Sequence, residues 1–410
     1  MPAGLNDRVL LLADDLSGAV ETSAAFGVSG AGGLDVLLWP RLPDRIDAVS
    51  LCVDLDSRAL RPGAARRRVA ELLWRVPMGT LLYKKVDSLL RGNVAAELKA
   101  VRSSGRGMVV ALAVPREARS VRGGVVHVGE DRLTESGVLG SARVVHDRIA
   151  DALAGIPTRE LTIEQVRGAG LESLVAAALD EGAAAICDAS TEADLDRIAS
   201  AIAELAAQRP VAAVGAGGLA RSLGRLLAPT DAETTELVAA GLPGRERPTT
   251  LFFVGSRSER ARGQVAALES SGVAHVVLGR GDVRDRETLA GSIRDALAGR
   301  AALLTLSPHE RWTRAETQAL ASVVANVVDE ARETIDIVLI GGATARQVLE
   351  ALGTDRVTPL RELASGTILC ATPRGHSVVI RPGSFGTELA LIELVGTLRD
   401  LRGGERGRAA

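Results

Sequence analysis

Aromatic residues make up only 2% of the 410-residue chain, which leaves few platforms for stacking the bases of a single strand. Positive charge is not in excess: the formal net charge is −2, so nothing points to nucleic acid as a partner. Cysteine is scarce, and Cys52, Cys187 and Cys370 are far apart and odd in number. None sits in a C-x-x-C pair, which argues against a disulfide frame or a zinc site and for reduced thiols in the cytoplasm. The five histidines contain no H-E-x-x-H, and no metal-ligand set is expected. No apolar run approaches the roughly 18 residues that span a bilayer. The polar start lacks the basic stretch and long apolar run of a secretory signal, so no membrane partner is expected.

Lysine is nearly missing as well. It occurs only at Lys84, Lys85 and Lys99 in a chain that otherwise uses arginine. Two adjacent lysines in that background point to a compact amine that binds phosphate or carboxylate; the alternative is chance placement on a solvated surface.

What is present is ample material for a core, with 46% hydrophobic and 24% charged residues. At roughly 150 residues per domain, the length suggests two or three domains. Short apolar runs recur at residues 9–13, 35–39, 49–53, 80–83, 108–114, 184–187, 211–214, 251–254, 275–278, 302–306, 335–340, 367–370 and 378–381. Most are continuous rather than alternating, as in strands buried on both faces of a parallel sheet. Between them, residues 64–74, 95–102, 191–208, 259–270, 286–297, 313–333, 344–352 and 387–401 repeat apolar residues every three or four positions, as helices do. The expectation is an α/β protein of two domains, each a mostly parallel doubly wound sheet flanked by helices. A proline- and charge-rich stretch sets the boundaries: a first domain over 1–228, a connector over 229–250 with a helical piece at 233–240, and a second domain over 251–401. Residues 402–410 read as a disordered tail. The least regular segment, 126–159, reads as an insertion or interface element.

Open α/β sheets bind ligands outside the carboxyl ends of their strands. After the first run come Asp14, Asp15, Leu16, Ser17 and Gly18. This set serves either hydroxyl recognition, with a carboxylate accepting an alcohol proton, or helix capping by Asp15 or Ser17. After the third run comes Arg58, which is either a bidentate carboxylate holder or an exposed loop arginine. After the fourth run, Lys84, Lys85, Asp87, Ser88 and Arg91 crowd one loop before a helix. A small anionic polyol needs such cations and hydrogen-bonding groups; a structural salt-bridge cluster is the alternative.

The second half is richer in glycine turns between strand and helix: 255–258, 341–344 and 381–387. Backbone N–H groups at a helix start bind phosphate, and glycine lets it approach. The stretch 215–220 reads as a further turn. There is no G-x-x-x-x-G-K-[ST], which weighs against a Walker-type NTPase, and no G-x-G-x-x-G after the first strand, which weighs against NAD.

In order, these blocks resemble the four-carbon acid sugar kinase family. Its opening A-D-D-L-T-G appears as residues 13–18 with Ser17, and its K-K-x-D-S-T-L-R-G as residues 84–92 with Leu89. G-S-x-S matches 255–258, G-G-D-T matches 341–344, and K-x-G-N-F-G matches 381–386. The sequence departs at Ala343 for the acid, at Arg381 for lysine, at Ser384 for asparagine and at Glu259 for a following proline. The resemblance implies a first domain that binds an acid sugar through Asp14, Asp15, Arg58, Lys84, Lys85, Asp87, Ser88 and Arg91. It implies a second that binds ATP through Ser256, Gly341, Gly342, Ala343, Thr344, Gly383 and Gly386. Transfer of the γ-phosphoryl would rest on Asp87 or Asp15 to orient the hydroxyl and on Lys85 and Arg91 to fix the substrate carboxylate or to offset charge on the transferring group. Mg²⁺ would be held largely by ATP itself, and domain closure would exclude water. A different hydroxy acid as acceptor, or a non-catalytic sensor of sugar acid or nucleotide, stays open beside this reading. A homodimer is the ordinary expectation for assembly.

Overall fold

The computed structural model describes residues 8–27, 33–42, 50–139, 146–227, 249–331 and 335–403. The chain divides into two compact units, with the change between residues 233 and 234. The connector expected at 229–250, including its helical piece at 233–240, lies outside the described residues except for Thr249 and Thr250, which open a strand. Of the tail expected at 402–410, the first two residues continue the last helix and the others lie outside the described residues.

The first unit alternates strand and helix. β1 (Val9–Ala13), α1 (Leu16–Phe26), β2 (Val36–Leu38), β3 (Leu51–Asp54), α2 (Pro62–Leu73), β4 (Leu81–Lys85), α3 (Val94–Ser103) and β5 (Gly107–Ala111) come first. An antiparallel ribbon follows: β6 (Arg119–Arg122), β7 (Val125–Val128) and β8 (Asp131–Arg132). Then come α4 (Ile149–Ala152), β9 (Thr158–Leu161), α5 (Ile163–Arg167), α6 (Leu171–Asp180), β10 (Ala184–Cys187), α7 (Glu192–Ala206), β11 (Val211–Gly215) and α8 (Gly217–Leu227). The sheet runs β2-β3-β1-β4-β11-β5-β10-β9, and every pair in it is parallel. β1, β3, β4, β10 and β11 are buried at every residue, which is why they read as continuous apolar runs. From β1 the chain goes to one side of the sheet, to β2 and β3, and then to the other, to β4. The order therefore reverses between β1 and β4, and ligands bind outside the carboxyl ends of strands at such a point.

The second unit repeats this logic. β12 (Thr249–Val254), α9 (Glu259–Ser270), β13 (Ala274–Leu278), α10 (Arg286–Leu297), β14 (Ala301–Leu306), α11 (Arg314–Glu330), β15 (Ile335–Ile340) and α12 (Gly342–Ala351) alternate. A meander of β16 (Arg356–Ala364), β17 (Thr367–Ala371) and β18 (Ser377–Arg381) precedes α13 (Ala390–Gly403). Strands β13-β14-β12-β15-β18 are parallel, and β17 and β16 continue antiparallel. Here the order reverses between β12 and β15. Phe252, Leu303, Val338 and Val379 of the sheet pack with Leu268 of α9 and Leu391, Leu394 and Leu398 of α13. Each such fully buried side chain stabilises by roughly 1.5–3 kcal/mol.

Sequence periodicity located most of these elements to within a few residues, gave no candidate for α4, α5, α6, β6–β9 or β16, and is corrected at two places. Residues 215–220, expected as a turn, are the end of β11 and the start of α8. Their glycines serve close packing: a Cβ on Gly217 would lie 1.9 Å from Glu21 Oε1, and one on Gly218 would lie 2.3 Å from the Ala113 carbonyl oxygen. The expected strand at 108–114 ends at Ala111, because the chain turns there toward a short 3₁₀ turn at Pro115–Glu117 and the ribbon.

Candidate active site

The loops after β1, β3 and β4 meet through backbone and side chain. Ser57 and Arg58 donate their backbone N–H groups to the Asp14 carbonyl at 2.9 and 3.2 Å, which fixes the β3 loop against the β1 loop. Arg58 then forks onto the Asp14 carboxylate, Nε to Oδ2 at 2.6 Å and Nη2 to Oδ1 at 2.9 Å. Its Nη1 donates to Asp15 at 2.5 Å. Asp15 also caps α1 by accepting the Gly18 N–H at 2.9 Å and the Ser17 hydroxyl at 3.0 Å. The capping reading of the 14–18 turn therefore holds for Asp15, and the same turn carries the two carboxylates that Arg58 engages.

From the β4 loop, Arg91 forks onto Asp87 in the same way, Nε to Oδ2 at 2.6 Å and Nη2 to Oδ1 at 2.9 Å. Arg58 Nη2 stands 3.9 Å from Asp87, so the two forks adjoin. Leu90 in this loop has φ +56° and Gly92 has φ +93°. A left-handed leucine is costly backbone, and such strain gathers at ligand sites. Asn93 pins the loop by donating to the Ser57 and Leu60 carbonyls at 2.8 and 2.9 Å. Leu89, which replaces a family threonine, is buried.

The electrostatics follow from these pairs. Burial works to raise the Asp14 carboxyl, but Arg58, with Lys84 and Lys85, overrides it and holds it below the usual carboxylate value. Burial opposes and Arg91, Arg58 and Lys85 prevail at Asp87, which lies far below that value. Arg58, in turn, is held well above the ordinary arginine value by Asp14, Asp15 and Asp87 against its own burial.

The two lysines part company. Successive residues of a strand point to opposite faces. Lys85 Nζ stands 3.9 Å from Glu21 of α1 and 3.1 Å from where a Gly18 Cβ would be, beside the 14–18 turn. Lys84 is wholly buried on the other face, with Nζ 2.8 Å from Glu97 of α3 and donating to the Lys85 carbonyl at 2.7 Å. Glu97 also accepts from the Ser57 hydroxyl. The structure thus pairs Lys84 with Glu97 and a backbone carbonyl, while its charge still acts on Asp14.

Glu21, Glu97, Arg119 and Arg221 escaped the sequence reading. Arg221 Nη1 is 3.7 Å from Glu21, and Arg119 Nη1 donates to the Ser88 hydroxyl at 2.6 Å. Arg119 and Arg221 come from elements outside the family blocks, whereas Glu21 and Glu97 lie on α1 and α3, a few residues beyond the 13–18 and 84–92 blocks. Only Gly217, whose missing Cβ makes room for Glu21, left any trace in the sequence.

In the second unit, three glycine loops interlock at the carboxyl ends of β12, β15 and β18. Ser258 caps α9 by accepting the Ala261 N–H at 3.1 Å and donates to the Gly383 carbonyl at 2.5 Å. A Cβ on Gly255 would lie 1.7 Å from Thr344 Oγ1, and one on Gly383 would lie 2.0 Å from Ser256 Oγ. Gly341 has φ +107° and opens α12, whose start carries no side-chain cap. The first N–H groups of that helix come from Gly342, Ala343 and Thr344, and N–H groups at a helix start can donate to phosphate. Ala343 is exposed there. Arg381 is buried and donates through Nη2 to the Phe385 carbonyl at 2.6 Å, against Gly386. It braces the last loop.

Among the described residues no group of three or more His, Cys, Asp and Glu side chains is placed to hold a metal ion. No helix there is long and apolar enough to cross a membrane. The three cysteines are free and buried, and burial pushes the Cys187 thiol up to about 12.

Comparison with known proteins agrees with this division. Residues 9–223 match the family model of a sugar-binding N-terminal domain, and residues 251–391 that of a nucleotide-binding C-terminal domain. A D-threonate kinase of Cupriavidus necator is 32% identical over 408 residues, covering 93% of this chain and 96% of that protein. A D-threonate kinase of Salmonella typhimurium is 29% identical, covering 97% of this chain and all of that protein. A solved Salmonella typhimurium protein, described as a putative tRNA synthase, superposes with a TM-score of 0.73 over 95% of this chain and 99% of its own. At 18% identity that likeness speaks for the fold alone. With both domain models matched in order and full-length relatives at this identity, the chain belongs to the four-carbon acid sugar kinase family.

Proposed function

We propose that the protein is a kinase that transfers the γ-phosphoryl group of ATP to a hydroxyl of a four-carbon sugar acid of the threonate type. The observation that carries this reading is the convergence of Asp14, Asp15 and Asp87, forked by Arg58 and Arg91, with Lys85 beside them, where the first sheet reverses order. Hydroxyls of a polyol donate to such carboxylates, and an acid needs the cations. The names of the full-length relatives support the acceptor class.

Asp87 is the group we assign to the attacking hydroxyl. Because Arg91 and Arg58 hold its carboxyl far below the usual value, it is ionised throughout the working range and is a weak base. A weak base suffices, since phosphoryl transfer runs through a loose transition state in which positioning and charge outweigh proton abstraction. Lys85 offsets the charge that develops on the transferring group. In the second unit the helix-start N–H groups of Gly342, Ala343 and Thr344, with Ser256 and Gly383, are assigned to the ATP phosphates. That donor set fits anionic oxygens and supplies no carboxylate for a cation, because Ala343 stands where the family has an acid. Mg²⁺ would neutralise phosphate charge when it arrives bound to ATP.

The test is ADP release from MgATP with a panel of four-carbon aldonates, repeated on Asp87→Asn and Lys85→Ala. Stimulation by one acid, lost in both variants, is the expected result. Wild-type rates in both variants, or no stimulation by any acid with ATP binding intact, would remove the reading.

A further inference from the structure

A cavity of about 720 Å³ lies against the loop that carries Asp87. Leu90, Arg91 and Gly92 form part of its wall, together with the first turns of α2 and α3. Its volume is that of an ordinary small-molecule site. Arg66 and Lys99, which also line it, belong to none of the family blocks. The cavity is set apart from the acceptor carboxylates. A Cβ on Gly92 would lie 3.0 Å from Asp14 Oδ2 and 3.3 Å from Arg58 Cγ, so the backbone at Gly92 divides the cavity from the Arg58–Asp14 fork.

Charge in the lining is one-sided. Among the described residues the side chains of Arg66 and Lys99 make no hydrogen bond and no ion pair. Arg91 engages Asp87 through Nε and Nη2, and its Nη1 makes no bond among those residues. Asp151, which is exposed, is the one carboxylate in the lining. Like charges gathered on one cavity repel each other, and a bound anion relieves them. The start of α3 on the wall has no side-chain cap, and a helix start adds to the preference for negative charge. A phosphate monoester carries about −1.5 to −2 charge at neutral pH and three acceptor oxygens. A sugar acid phosphorylated on a hydroxyl adds a carboxylate, so it offers two anionic ends to these three cations. The unphosphorylated acid offers one.

We propose that this cavity is a second anion site, which takes the phosphorylated sugar acid formed in the reaction and slows the enzyme when filled. Arg91 is the link. Its guanidinium joins the cavity to Asp87, and an anion at Nη1 competes with Asp87 for it. Leu90, beside Arg91, sits at φ +56°, a strained conformation of the kind that gathers in switch segments. The choice of ligand rests on the phosphoryl-transfer reading above and adds control by the product to it.

The test uses the full chain as wild type, Lys99→Met, Arg66→Gln and the double variant, with phosphorylated threonate made by wild-type turnover. Neither residue belongs to the acceptor or nucleotide groups, so rates without product should stay at the wild-type level. At saturating ATP, phosphorylated threonate should lower the kcat of wild type by about 10-fold, the order of a lost charge-assisted bond, and leave the KM for threonate unchanged. Calorimetry should show it binding beside saturating threonate, with an affinity roughly 10- to 100-fold weaker in the double variant. Each single variant should show part of that loss, which also serves should the double variant fail to fold. Inorganic phosphate, which lacks the carboxylate, should bind more weakly than phosphorylated threonate; equal binding would remove the phosphorylated acid as the ligand. Inhibition that competes only with threonate and is equal in all variants would mean that the product returns to the acceptor site, and this inference alone falls. If no acid supports turnover in wild type, the functional reading falls and takes the inference with it.

Discussion

Arg58 and Asp14 form a two-point fork, Nε and Nη2 of the guanidinium donating to the two carboxylate oxygens at 2.6 and 2.9 Å. The fork ties the loop after β3 to the loop after β1, and the third guanidinium nitrogen reaches Asp15. A lysine keeps the charge but cannot make two parallel bonds or reach a second carboxylate at once. Arg58→Lys should therefore lower kcat/KM for the acid acceptor by about 10- to 100-fold, a loss of roughly 1.5–3 kcal/mol of charge-assisted bonding. Steady-state kinetics decide it, and wild-type kinetics in the lysine variant would show that the fork does not shape the site.

The adjacent lysines should fail in different ways. Lys84 and Glu97 form a fully buried pair, and removing one partner of such a pair costs about 3–5 kcal/mol. Lys84→Met is expected to lose stability of that order in urea unfolding, and Lys84→Met with Glu97→Leu to regain most of it. Lys85 is buried too, but its contact with Glu21 is long at 3.9 Å and Arg221 also approaches Glu21. Lys85→Met should therefore lose less stability than Lys84→Met and lose turnover by about 100-fold, the order of a single lost electrostatic contact to the transition state. Equal stability losses in the two single variants would show that the Lys85–Glu21 contact matters as much to folding as the Lys84–Glu97 pair.

That pair also marks where the sequence stopped being informative. Strand-helix alternation, and loops rich in charge or glycine after strand ends, were legible because each is contiguous in the chain. The identity of Lys84 and Lys85 suggested a shared task, but the period of two along β4 separates them. Arg119 and Arg221 were hidden for a different reason. In a chain that uses arginine almost everywhere, one arginine on a ribbon and one on a helix look like solvated charge until burial is known. Gly217 and Gly218 resembled a turn because glycine marks turns, whereas here they let α8 close on Glu21 and on the Ala113 carbonyl. The ribbon β6–β8 alternates too briefly to stand out from loop.

Acid should weaken the fold through the same carboxylates. Asp14 and Asp87 titrate below the ordinary value of 3.8, and Asp147, held by Arg132 against its burial, titrates at about 2. A carboxyl depressed by folding adds stability that is fully present above its unfolded value and is lost as pH falls through its folded value. The unfolding free energy should be level from neutral pH to about 5 and decline from about 4 downward. Asp87→Asn should start less stable at pH 7 and lose less between pH 5 and 3. Parallel curves for the variant and wild type in urea titrations would mean that Asp87 gains nothing from Arg91 on folding.

The glycine loops of the second unit offer the sharpest separation of the two binding functions. Gly383 lies where a Cβ would come within 2.0 Å of Ser256 Oγ and 2.2 Å of Ser256 Cβ, so Gly383→Ala must push the loop after β18 away from the loop after β12. The carbonyl of Gly383 is also the acceptor for Ser258, the cap of α9, so the shift loosens the start of that helix. If these loops cradle the ATP phosphates, the displacement misplaces several N–H donors at once. ATP binding measured by calorimetry should then weaken by about 10-fold or more, the order of one or two charge-assisted hydrogen bonds. The fold of the first unit carries its own core and ligand groups, so the threonate-induced thermal shift should survive in the variant. Loss of the threonate response with ATP binding intact would reverse the assignment of the two units. Loss of neither would remove the three loops from the nucleotide site.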